Sequence, residues 1–151
     1  MSKEWGPITW YLFHTLAEKI KEEHFTMLRK SLIEEIFIIC CNLPCPDCAN
    51  HARQKMLTLN RDSIKTKLDL KKMLLMFHNE VNVRNKNKVF TEDELNEKYS
   101  KANLHNIVNM FLHIWSRPNS NPKLLTVSFH KGQSLKHFVS WWSVNKQYFN
   151  N

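Results

Sequence analysis

"MLRKSLIEEIFIICCNLPCPDCANHA", Met27 to Ala52, contains the boundary from which the rest of the chain can be read. Leu28, Leu32, Ile36, Ile39 and Leu43 recur at helical spacing, so the first part predicts a largely buried helix. Pro44 stops that pattern, and Cys45 opens a third helix directly after it, running to about Leu57. In Cys45-Pro46-Asp47-Cys48 the first cysteine stands at a helix N-terminus, where free N–H groups and the helix dipole favour a thiolate. Cys48 and His51, three residues apart, share one face, so whatever meets Cys48 also meets His51. A structural disulfide, a zinc site and a redox-active dithiol all fit these letters.

Outward from this stretch the chain reads as helices. It has 151 residues, enough to bury a core without disulfide staples, and only two glycines. Ile8, Leu12, Leu16 and Ile20 mark a first helix entered through Gly6 and Pro7, and Leu70, Met73, Leu74, Phe77 and Val81 mark a fourth. A capping box at Thr91-Glu92-Asp93-Glu94 announces a short fifth helix. Leu104, Ile107, Val108, Phe111 and Trp115 give another stripe, drawn as a possible continuation of the fifth. "RPNSNPKLLTVSFHKGQ" reads as a loop with a short extended piece at Leu124 to Phe129, and Leu135, Phe138, Val139 and Trp142 predict a last helix over "SLKHFVSWWSVNKQYF".

Charge and apolar runs narrow the classes. The longest purely apolar run, Ile36 to Cys41, is far short of a membrane span, and "MSKEWGPITW" lacks the basic region and apolar run of a signal peptide, so a membrane role and classical secretion are not expected. The formal charge is +8, yet no ordered basic motif supports nucleic acid, and the charged stretches read as solvated helix faces.

Two further clusters bear on the cysteines. Trp10 and His14 are i and i+4 on one helix face, with Gly6 one turn earlier. His78 and Asn82 are likewise i and i+4, Val81 lies within the same turn, and Lys86 and Lys88 follow. A planar aromatic cofactor with a charged tail suits such a set: rings stack, amides read polar edges and lysines meet a pyrophosphate. A four-ligand zinc site from Cys45, Cys48, His51 and His78 would leave Trp10, His14 and Asn82 without a role. A thioredoxin-like reductase would need strands, which the sequence scarcely offers.

Trp5, Gly6, Trp10 and His14, then Cys45, Cys48 and His51, then His78, Asn79, Val81 and Asn82, in that order, resemble the Erv/ALR family of FAD-dependent sulfhydryl oxidases, above all the short members encoded by large DNA viruses. The resemblance covers about Trp5 to Ala102. It implies an all-α fold: a four-helix bundle plus a short fifth helix around FAD, with residues 1–103 as the cofactor domain and 104–151 as a helical C-terminal extension packed on or near it. It implies that Cys48 passes electrons to the flavin while Cys45 exchanges with substrate. It also implies that Gly6, Trp10, His14, Cys48, His51, His78, Asn79, Val81 and Asn82 line FAD, with Lys88, Phe90 and Tyr99 at weaker motif positions. The expected partners are protein dithiols, molecular oxygen and a second copy of the chain, and the expected compartment is a host cytoplasm or a virion.

Two departures from the family pattern stand out. Many members carry a further shuttle cysteine pair, whereas this chain has four cysteines and none after Cys48. Cys40 and Cys41 are adjacent and helical, a poor geometry for bridging each other, so a small thiol carrier protein is expected to supply the missing pair. The tail beyond Asn103 is rich in aromatics, among them Trp115, Phe138, Trp141, Trp142 and Phe149. Packing on the core is the first expectation for it, a dimer or docking surface the second and a membrane-surface helix the third.

Overall fold

A computed structural model of the chain describes residues 4–118 and 125–151, apart from the side chains at 125 and 127. Their fold is all-α, with α1 (Trp5–Lys19), α2 (Phe25–Cys41), α3 (Pro46–Thr58), α4 (Lys67–Arg84), α5 (Glu92–Ser100), α6 (Leu104–Trp115) and α7 (Leu125–Asn145).

The helix boundaries follow local chemistry. Gly6 and Pro7 sit in the first turn of α1, where a missing N–H costs nothing. Cys45 is the N-cap of α3 and Pro46 its first residue. Thr66 and Asp69 form a capping box at α4, and Thr91 and Glu94 form the predicted one at α5. Asn103 starts α6 afresh by accepting the Asn106 N–H at 3.0 Å, so α5 and α6 are separate helices and not one.

The extended piece expected at Leu124 to Phe129 is corrected: Leu124 lies outside the described residues, and Leu125 to Phe129 form the first turns of α7. Val, Thr and Phe favour strands only weakly, by less than about 1 kcal/mol each, and tertiary contacts override them. One such contact comes from Lys131 of α7, a buried residue whose Nζ donates to the Arg117 carbonyl at 2.9 Å.

α1 lies at the centre, packed against α4, α5 and α6, while α2 packs against α3 and α7. One core runs through all of them, from Leu12 and Leu16 through Leu32, Ile36 and Leu74 to Phe111, Trp115, Phe138 and Phe149. Trp141, Trp142 and Tyr148 are partly buried against it, whereas Phe129 is exposed. The Trp115 indole N–H donates to Thr9 Oγ1 at 3.0 Å, and the Thr9 hydroxyl donates to the Trp5 carbonyl at 2.5 Å. An Arg117–Glu4 ion pair ties the end of α6 to the residue before α1. The C-terminus closes on the other end of α1: the Lys21 N–H donates to the Tyr148 carbonyl at 2.9 Å and the Asn150 N–H to the Lys19 carbonyl at 2.7 Å.

Rings join α1 to α4. Trp10 and His78 stack with centroids 4.1 Å apart and planes 6° apart, and His14 Nε2 lies 2.9 Å from His78 Nδ1. His14 also stacks on Tyr99 of α5 at 4.8 Å. Burial, then the neighbouring His78 and Lys98, lowers the His14 imidazole from 6.5 to about 3. Burial and Lys98 lower His78 to about 4. Both rings are therefore neutral near pH 7, one donating its N–H and the other accepting it.

Two measurements check this packing. Trp115→Ala is expected to lower the unfolding free energy by about 3–5 kcal/mol in urea denaturation, and a loss below about 1 kcal/mol contradicts the placement of α6 in the core. The histidine pair sets a pH dependence. The unfolded chain takes up protons near the ordinary histidine value, while the folded pair resists until about 4 and about 3. Stability should be complete well above about pH 6.5 and fall as pH drops below it, already by about pH 5 where most carboxylates remain ionised. The slope should shrink in His14→Gln, and an equal slope in that variant contradicts the buried neutral pair.

Candidate active site

The first turn of α3 builds the thiol pair. Cys45 has extended backbone angles (φ −103°, ψ 115°), and its Sγ accepts the Cys48 N–H at 3.3 Å, so a helix N-terminus presents a donor to that sulfur. Cys48 lies one turn into the helix; both are half-buried free thiols. Burial, with Cys45 beside it, raises the Cys48 thiol to about 11; Arg84 acts in the opposite direction and Asp47 in the same one.

Cys48 opens onto a cavity of about 200 Å³ between α1, α3 and α4, whose walls include Trp5, Gly6, Trp10, His51, Val81 and Arg84. A second, more open hollow of about 470 Å³ shares Gly6, Trp10, Val81 and Asn85 with it and continues to His78, Asn82, Lys88, Phe90, Lys98 and Tyr99. Trp10 and Val81 therefore stand where the two spaces meet.

Of the residues expected around a cofactor, Gly6, Trp10, Cys48, His51 and Val81 line the first space. His78, Asn82, Lys88, Phe90 and Tyr99 line the second. His14 lines neither and stands behind His78 and Tyr99 as their support. Asn79 also lines neither: its amide donates to the Phe90 carbonyl and accepts the Phe90 N–H, both at 2.8 Å, and so pins the loop after α4. That loop leaves the helix through Lys86, whose φ of 59° is in the left-handed region. Cys45 lies outside both linings.

Sequence reasoning missed several wall residues. Arg84 and Asn85 follow Val81 at i+3 and i+4, so helical spacing along α4 could have found them. Lys98, whose Nζ lies 4.7 Å from the Tyr11 ring and 5.7 Å from that of Phe90, reaches the site only because α5 folds back over α1. Trp5 was named in the motif with Gly6 but not among the expected cofactor residues, and it too lines the first cavity.

The surroundings suit a planar ring system with an anionic tail. A Cβ at Gly6 would meet nothing within 4 Å, so a side chain there would take up space that both cavities share. Trp5 Nε1 and Asn82 Nδ2 are buried donors with no acceptor among the described residues. Stacked rings line the walls, and Lys88 and Lys98 line the second hollow. No three His, Cys, Asp or Glu side chains among the described residues are grouped to hold a metal ion. Cys40 also lines the first cavity, but burial drives its thiol far above the usual range; burial raises Cys41 as well, against the pull of Arg53.

The chain is 28% identical over 99 residues to the FAD-linked sulfhydryl oxidase ERV1 of Oryza sativa subsp. japonica, an alignment covering 66% of this chain and 50% of the relative. It thus spans about half the length of the curated relative it matches. No solved structure matches it. Residues 7–100, which carry the cysteine pair and both walls of α1 and α4, match the Erv1 / Alr family, and the chain belongs to that family.

Proposed function

We propose that the chain is an FAD-dependent sulfhydryl oxidase that makes disulfides in protein substrates through a Cys45–Cys48 disulfide and uses molecular oxygen as electron acceptor. The observation that carries this reading is the double position of Cys48: it is one half of the Cys45-Pro46-Asp47-Cys48 pair and part of the ring-lined cavity wall. A substrate thiolate attacks Cys45 Sγ and forms a mixed disulfide. The substrate's second thiol then releases it as a disulfide, leaving both enzyme cysteines reduced. When the Cys45–Cys48 bond re-forms, two electrons and two protons leave the pair on the Cys48 side. FAD, when bound, accepts these electrons and passes them to oxygen, giving hydrogen peroxide.

The chain's own groups divide the binding. Gly6, Trp10, His51 and Val81 suit the flavin ring beside Cys48, while His78, Asn82, Phe90 and Tyr99, with Lys88 and Lys98, suit the remainder of the cofactor and its phosphates. His14 and Asn79 act one layer behind, holding His78 and the Phe90 loop in place. Residues 1–103 carry this site, and 104–151 brace it through the Trp115–Thr9–Trp5 chain of hydrogen bonds.

A small thiol carrier protein is the partner proposed to relay electrons from bulky substrates to Cys45. We further propose a homodimer that works in a host cytoplasm or a virion, on the motif likeness to the short viral members. This reading gives no part to nucleic acid or membrane. No helix among the described residues is long and apolar enough to cross a membrane.

Cys48→Ser is expected to keep its flavin and to lose oxygen consumption on a dithiol substrate; turnover equal to that of the parent chain contradicts the assignment. Trp10→Ala should lose flavin during purification, since the ring that forms both cavity walls is gone. Full retention contradicts its place in the pocket.

A further inference from the structure

We propose that Arg84 is a positioning residue for the thiol exchange, its guanidinium holding negative charge on the Cys48 sulfur as the Cys45–Cys48 bond opens. Cys48 is the leaving group of that step. The substrate sulfur forms a bond to Cys45 Sγ, the Cys45–Cys48 bond breaks, and its electron pair goes to Cys48 Sγ. A leaving thiolate of lower basicity leaves faster. Yet the surroundings of this sulfur oppose its charge: burial raises its proton affinity, and Cys45 and Asp47 of the same turn add to that.

Arg84 supplies the opposing effect. It stands in the last turn of α4, lines the same cavity as Cys48, and is the one Lys, Arg, Asp or Glu among the described residues of a lining otherwise made of rings, alkyl groups, thiols, a hydroxyl, an amide and His51. No described carboxylate pairs with its guanidinium, so its field is not spent elsewhere. The groups around Cys48 are then Cys45 and Asp47 from the first turn of α3, His51 one turn on, and Arg84 from α4. Of these Arg84 alone carries a fixed positive charge, and the partly enclosed apolar walls weaken solvent screening between it and the sulfur. Its backbone is set by the capping box at Thr66 and Asp69 and by the ring stack midway along α4, so the cation is delivered by a rigid element.

The test is alkylation of the fully reduced chain by iodoacetamide over a range of pH, with the Cys48 and Cys41 peptides followed by mass spectrometry. Arg84→Gln is expected to slow alkylation of Cys48 about three- to tenfold near pH 8.5, the size of a half- to one-unit rise in its pKa, and to leave Cys41 unchanged. Arg84→Lys should restore most of the rate, and added salt should narrow the gap between the Gln variant and the parent. Equal Cys48 rates in the Gln variant and the parent at every pH overturn the proposal, as does a change shared by Cys41, which would report loosening of the fold. The proposal rests on the oxidase reading for its use, but alkylation does not: a parent chain without flavin or oxidase activity would sink that reading while this comparison still decides whether Arg84 acts on Cys48.

Discussion

The parallel stack of Trp10 on His78 is the contact on which the site depends. It fixes the spacing of α1 and α4 at the point where the wall of both cavities is made, and it is supported from behind by the His14–His78 bond and the His14–Tyr99 stack. Three helices are therefore held in register by rings that are also the site's surface. Neutral imidazoles are essential to that arrangement. A charged His14 would face burial and the nearby Lys98 together, and the stack would lose the shared N–H that orients it. An ion pair between Lys71 and Glu18 at 2.6 Å ties α4 to α1 further from the site.

Around this fixed wall the two cysteines take different positions within one helical turn, and the proposed division of labour between them rests on that difference. Pro44 ends one pattern and Pro46 begins the next helix, which leaves Cys45 at the cap, outside both cavities, and Cys48 on the cavity wall. A bulky protein thiol needs an accessible sulfur, whereas transfer to a cofactor needs one sulfur against the cavity. The N-cap geometry meets both requirements with two side chains three residues apart. The C-terminal helices contribute at a distance: Trp115 and Arg117 hold the start of α1, where Trp5 and Gly6 form the cavity wall.

Much of this was legible in the sequence because the determining signals are local. Helical spacing marked α1, α2, α4 and α6, prolines marked the start of α3, and Thr91 with Glu94 marked α5. Cys48, Trp10, His78 and Val81 came from motif spacing; Cys48 shares one cavity lining with Trp10 and Val81, His78 shares the other with the same two residues, and Cys45 lies outside both. What was not legible depends on contacts between distant segments. Nothing in "LTVSFHKGQ" distinguishes a loop or strand from the first turns of α7 until Lys131 reaches the Arg117 carbonyl. Lys98 joins the site only when α5 lies against α1, and Asn79 pins a loop because Phe90 returns to it eleven residues later. His14 and His78 were visible as single helix-face residues, but their mutual bond belongs to the packing of α1 on α4.

The two neighbouring cavities, which share Gly6, Trp10, Val81 and Asn85, are proposed to receive one flavin. The most direct measurement is the visible absorption spectrum of the chain purified without added cofactor, with the flavin released on denaturation counted against protein. The account predicts a yellow protein carrying close to one FAD per chain. A colourless protein that also fails to bind FAD when it is supplied would contradict it.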